Sequence, residues 1–255
     1  MEPPSSKAEE WIVKLMALTS VATGRERRTV SKKPRTPMMP PPDMLSSTES
    51  SACAPMERNL PCEIIGWNEI DALISRLARQ MREAGFRPDL IVAIARGGFV
   101  PARLLADRLD VFDMDSMKIE HYRGVRKGPG ARLRYPLAAG VTDRRILVVD
   151  DVSDSGETFE LALAHIREKG TPAELRTAAM HHKETSSYRP DFHAGRLESW
   201  RWLIYPWAVT EDLRSLLAQM EPRPESVEAF AQALESRHGI RFPPERLAEV
   251  MTTPT

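Results

Sequence analysis

The sequence is poor in cysteine. Only Cys53 and Cys62 occur among 255 residues. Two thiols make no disulfide framework, and neither stands at a metal-ligand spacing. Such scarcity fits a reducing, cytoplasmic setting. Long hydrophobic runs are also missing: no apolar stretch reaches the roughly 18 residues of a spanning helix. The segment "WIVKLMALTSVAT" is interrupted by Lys14 and preceded by acids, which argues against a secretory leader. Nor is there an excess of charge. Lys plus Arg and Asp plus Glu both total 36, for a formal net charge of zero. No global field therefore draws the chain to nucleic acid or to an anionic membrane. Internal repeats are absent.

What is present falls into three parts. Residues 1–58 hold eight of the 21 prolines, several Ser/Thr clusters and the tract "KKPRTPMMPPPD". Such a composition buries too little apolar surface to offset its ordering entropy, so a disordered tail is expected. A docking tail is the sharper alternative, and Met56 is a candidate start because compact sequence follows it. Residues 59–207 read as one domain. "WNEIDALISRLARQMREAG" puts Ile70, Leu73, Ile74, Leu77 and Met81 on one helical stripe. Asn68 is the expected cap and Gly85 the expected stop. "DLIVAIA" reads as a buried strand, "GGFVPARLLADRL" as a turn and helix, and "VFDMDSMKIEHY" as a strand. "RGVRKGPGARLRYP" is basic and aperiodic and reads as a long loop. "RRILVVDD" and "ELRTAAMHH" read as strands around the helix "GETFELALAHIREKG", and "WRWLIYPW" as a last strand. This alternation predicts an α/β fold, a parallel sheet with helices on both faces. Residues 208–255 read as a small helical extension.

In open parallel sheets, ligands bind beyond the carboxyl ends of the strands. Two Gly-containing turns leave from those ends, after "IVAIA" and after "LVVDD". The second is followed by "SDSGET" and a helix, which is a ready anion site: backbone N–H groups point into the turn and the helix dipole favours negative charge. Asp150 and Asp151 are adjacent and repel, so sugar hydroxyls, a divalent cation or basic groups are needed to hold them together. "DD" alone also fits a strand-ending pair that caps the next helix. A phosphate turn beside two hydroxyl-accepting carboxylates describes a phosphorylated sugar.

The stretch "ILVVDDVSDSGET" resembles the phosphoribosyl-diphosphate (PRPP) motif of type I phosphoribosyltransferases, with Ser155 in the usual Thr slot. "IVAIARGGFVPARLLADRL" resembles the pyrophosphate loop of that family, and "WRWLIYPW" the base-covering strand of its purine branch. The resemblance spans about residues 60–207 and is closest in cast to archaeal and bacterial purine-type members. It implies the type I phosphoribosyltransferase fold and a set of roles. Asp150 and Asp151 would hold the ribose hydroxyls, with Mg²⁺ beside Asp151. The 5′-phosphate would lie on Asp154, Ser155, Gly156, Glu157 and Thr158. Arg96 and Gly97, with Gly98, would carry pyrophosphate, at a place where relatives often have a non-proline cis peptide.

Asp154, the third acid, marks the 6-oxopurine enzymes, where it is the general base. A helix cap is the plain alternative, and the two roles are compatible. Lys183 would donate to the purine 6-oxo group, Trp202 would stack on the base, and the main chain at Leu203 and Ile204 would read its exocyclic position. A solvated lysine and a core tryptophan are the plain alternatives, and Trp200 and Trp207 are near enough that the choice of Trp202 depends on register. Tyr122, Arg123, Arg126, Lys127, Arg132 and Arg134 fall in the place of a mobile basic lid. The implied activity is purine salvage from PRPP and a base, in a homo-oligomer. A PRPP-sensing regulator and a transferase for another base are the rivals.

Overall fold

A computed structural model of the chain describes residues 60–121 and 130–252. The expected tail, and Tyr122, Arg123, Arg126 and Lys127 of the expected lid, lie outside the described residues. In chain order the elements are β1 (Cys62–Ile64), α1 (Trp67–Glu83), β2 (Leu90–Ala95), α2 (Phe99–Leu109), β3 (Met114–His121), β4 (Ala131–Tyr135) and β5 (Arg145–Ser153). They continue as α3 (Glu157–Lys169), β6 (Glu174–Lys183), β7 (Phe192–Leu197), β8 (Trp202–Ile204), α4 (Val209–Ala218), α5 (Val227–His238) and α6 (Pro244–Thr252). Six strands form the main sheet in the order β4-β3-β2-β5-β6-β7. Every pairing in it is parallel except β3 with β4.

β2 is apolar at every position, and β5 from Ile146 to Val149, because both of their faces are covered. Alternation then sorts their side chains. Leu90, Val92, Ile94, Ile146 and Val148 pack with Phe159, Leu163 and Ile166 of α3. Ile91, Ala93, Leu147 and Val149 pack on the opposite face with Ile70 and Leu77 of α1 and Leu105 of α2. The predicted α1 stripe is buried at all five positions, and each such side chain contributes about 1.5–3 kcal/mol relative to exposure. The α1 start differs from expectation. Its N-cap is Gly66, with no side-chain cap, and Asn68 lies inside the first turn. Gly85, at φ +68°, takes the left-handed conformation expected just past the helix end.

Four strand assignments also differ. Part of the expected long loop is β4, an antiparallel edge strand pairing Lys118 through His121 with Tyr135 through Ala131. Arg132 and Arg134 therefore sit on a strand, and Arg132 pairs with Glu120 at 3.3 Å. β1 and β7 carry no clear sequence pattern. Of "WRWLIYPW" only Trp202–Ile204 is strand, and it joins β1 in a separate two-stranded parallel sheet rather than the main one.

That small sheet carries the three C-terminal helices. Ile204 shares a third core with Leu213, Leu216 and Leu217 of α4, Phe230 and Leu234 of α5, and Leu247 of α6, and Leu60 and Cys62 pack against it. Burial pushes the Cys62 thiol up to about 11, with the Asp212 charge adding to the shift. This assembly is called the cap below. Among the described residues, no helix is long and apolar enough to cross a membrane.

Candidate active site

A cavity of about 570 Å³ lies over the carboxyl ends of β2 and β5, with β8 and α4 on its other side. Arg96, Gly97, Asp150, Asp151, Asp154, Ser155, Gly156 and Thr158 line it from the sheet. Trp202 and Leu203 line it from the cap, so ten of the sequence-chosen residues meet at one place. Glu157, Lys183 and Ile204 stand outside its lining.

The β2 turn comes first. The Ala95–Arg96 peptide is cis. A Cβ at position 97 would sit 2.6 Å from Asp151 Oδ1, so only glycine lets this backbone lie against that carboxylate. A Cβ on Gly98 would meet the Ile94 carbonyl at 2.7 Å. Arg96 reaches across the mouth of the cavity to an ion pair with Glu211 of α4.

Asp150 is buried at the end of β5, and its Oδ1 accepts from the Asp151 N–H at 2.9 Å. Burial and then the Asp151 charge hold the Asp150 carboxyl well above its usual range. Burial pushes Asp151 up to about 6, opposed by the Val152 N–H. Behind Asp151 stands an aromatic column. Tyr205 lies parallel to Trp207, centroids 4.9 Å apart, and its hydroxyl donates to the Asp151 carbonyl at 3.2 Å. That hydroxyl has one proton, so it accepts from His181 Nδ1–H at 2.9 Å. Burial lowers His181 to about 4, which keeps the ring neutral.

The turn after β5 is braced from behind. Gly156, at φ +96°, is the N-cap of α3, and no side chain caps the helix there. The first turn of a helix presents N–H groups without intrahelical partners, and here it opens into the cavity. Ser187 holds the turn by donating twice to the Ser155 carbonyl, from its N–H at 3.0 Å and its hydroxyl at 2.8 Å. A Cβ on Gly156 would strike Tyr188 N at 2.6 Å. Ser153 extends the brace by donating to the Tyr188 carbonyl at 2.8 Å. This buttress left no sequence signal beyond its Ser-Ser-Tyr composition.

Asp154 and Lys183, 29 positions apart, meet at 2.8 Å. The Lys183 side chain is only 3% exposed, so the solvated-lysine alternative does not apply. On the cap, Trp202 is 39% exposed and lines the cavity, and its indole N–H donates to Asp212 Oδ1 at 3.0 Å. Burial raises Asp212 to about 6. Ile204 is wholly buried in the third core, and its carbonyl accepts from the Ile65 N–H at 3.0 Å. It faces the cap interior instead of the cavity, because alternation turns it away from Leu203. Sequence reasoning missed Glu211 and Asp212, which stand in the first turn of α4, and it passed over Trp200, whose indole reaches Asp154.

Comparison with known proteins agrees with this geometry. Residues 66–212, more than half of the chain, match the family model described as phosphoribosyl transferase domain. The chain is 29% identical over 161 residues to the xanthine-guanine phosphoribosyltransferase of Cereibacter sphaeroides, covering 60% of this chain and 92% of that protein. It is 30% identical over 133 residues to the bifunctional protein PyrR of Corynebacterium diphtheriae, covering 46% and 70%. A crystal structure of purine phosphoribosyltransferase from Pyrococcus horikoshii superposes with a TM-score of 0.51 at 30% identity, covering 58% of this chain and 94% of that one. With an acid pair and two glycine turns gathered at the strand ends, and with this match across them, the chain belongs to the phosphoribosyl transferase domain family, in its purine branch.

Proposed function

We propose that the chain transfers the phosphoribosyl group of PRPP to a 6-oxopurine, hypoxanthine, guanine or xanthine, and releases pyrophosphate. The observation that carries this reading is the contact of Asp154 with Lys183 beside the Asp150–Asp151 pair. An acid and an ammonium at that spot suit a ring that presents both an N–H and a carbonyl oxygen.

In this reading Asp150 and Asp151 accept from the ribose hydroxyls. The turn from Asp154 to Thr158 holds the 5′-phosphate, and the Arg96–Gly97 turn holds pyrophosphate. Among the described residues, no three acids, histidines or cysteines converge as a cation cage. Two carboxylates that burial leaves under-compensated fit Mg²⁺, which binds through one or two acids together with substrate oxygens and water. Mg²⁺, when bound beside Asp151, supplies positive charge to the departing pyrophosphate. The bond from the anomeric carbon to pyrophosphate breaks, the purine nitrogen forms the new bond, and Asp154 takes the purine proton. Trp202 offers its exposed ring face to the base.

A panel of purines, orotate and uracil, each with PRPP and Mg²⁺ and assayed for nucleotide and pyrophosphate, tests the proposal. Product with a 6-oxopurine and none with the pyrimidines is expected. Product with a pyrimidine alone would overturn it. A PRPP-binding regulator is the second reading, kept open by the likeness to a protein named for two functions. PRPP binding without product from any base would favour it.

A further inference from the structure

Trp200 lies in the short connection between β7 and β8, outside both strands, and is 37% exposed. Its indole N–H donates to Asp154 Oδ1 at 3.1 Å, while Lys183 Nζ donates to Asp154 Oδ2 at 2.8 Å. The same ammonium stands 4.3 Å from the centre of the Trp200 ring. One indole therefore touches both members of the acid–lysine pair. Asp154 lines the cavity, while Lys183 and Trp200 both stand outside its lining.

We infer that Trp200 is a built-in placeholder for the base: its indole occupies the Asp154–Lys183 pair until a purine displaces it. The inference rests on the purine reading above. Indole and purine are both flat, fused five- and six-membered rings with an N–H on the five-membered ring. Through that N–H the indole offers Asp154 the hydrogen bond a purine would offer, and its face shields a charge that is otherwise almost dry. A buried ammonium is costly to leave without partners, so the ring stabilises the empty site. The indole and a base that reaches Lys183 cannot hold these positions together. Apparent base affinity then includes the cost of moving the indole, as for any site whose competent state is only partly populated. Trp200 is thus an affinity-setting residue distinct from Trp202, whose N–H is committed to Asp212.

The test uses the full chain with PRPP, Mg²⁺ and the best base of the panel. Trp200→Ala removes both contacts, and Trp200→Phe keeps the ring face and removes the N–H. The expected result is a base KM lower by about 3–10-fold in Trp200→Ala and by a smaller factor in Trp200→Phe, as loss of one hydrogen bond and one cation–π contact implies. The KM for PRPP stays unchanged and kcat within about twofold of the parent. A residue that merely shapes the site, or touches the bound base, gives the opposite sign, and a raised or unaltered base KM in both variants overturns the placeholder alone. If the parent chain turns over no purine, the reading beneath falls and the placeholder with it.

Discussion

On the sheet side of the cavity, Asp150 and Asp151 leave a strand that is buried on both faces and fixed by neighbours on either side. On the cap side, Trp202 leaves a three-residue strand and leans on Asp212. The sheet side is built from contiguous sequence: strand, acids, turn and helix follow within 25 positions, from Arg145 to Lys169. The cap side joins segments 140 positions apart, since Cys62 pairs with Trp202. The sheet side gathers groups that hold charge, and the cap side gathers aromatic surface. The two sides of the cavity are thus built in different ways, one from a single stretch of chain and the other from distant segments.

Four variants would break or sharpen this contrast. The largest effect is expected at Asp154→Asn, which should lower kcat by about 10²–10⁴-fold, the range for loss of a general base. Steady-state kinetics at saturating substrate check it, and unchanged turnover would remove Asp154 from the chemistry. Next is Gly97→Ala. The added methyl meets the Asp151 carboxylate, and overpacking of about 1–3 kcal/mol should weaken PRPP binding roughly 10–100-fold while base KM holds. Calorimetric titration with PRPP and Mg²⁺ reads this directly.

Asp150→Asn should act in two directions. Asp150 and Asp151 hold protons more tightly in the folded chain than in the unfolded one. Their contribution to stability is therefore complete below about pH 4, the unfolded carboxyl range. It is lost as pH rises through about 6, where Asp151 ionises. The amide should stabilise the ligand-free protein by on the order of 1–2 kcal/mol at pH 7.5, and by nothing measurable at pH 4. It should also weaken PRPP binding. Thermal melts across pH decide, and equal gains at both pH values would contradict the acid-pair account. The smallest effect belongs to the cap: Trp202→Ala should raise base KM by about 3–10-fold, the value of an aromatic contact, and leave PRPP KM alone.

The same contrast explains what the sequence disclosed. β2, β5, β6 and their helices are legible because a doubly covered strand carries a run of apolar residues and an amphipathic helix must repeat. The acid pair, the third acid and the glycine turns are legible because they are neighbours in the chain. β4 hid inside a basic, glycine-rich composition, and only its register with β3 makes it a strand. β7 reads "FHAGRL", an edge strand with Gly195 inside it and no sustained alternation. β1 and β8 are three residues each, too short for any period. Asp212 looks like an ordinary first-turn acid until Trp202, ten positions earlier, folds onto it. Placing Trp200 against Asp154 needs the course of the chain between β7 and β8, which no local pattern specifies.

At Gly97 the turn after β2 and the Asp151 carboxylate of β5 touch across a side chain that is not there. Where they meet, Gly97 main chain packs directly on the Asp151 carboxylate, and the β2 side has no side chain to adjust the fit. They work as the jaws of a gauge. A ligand spanning them would meet bare main chain on the β2 side, so its fit there would be set by peptide geometry and not by a side-chain rotamer.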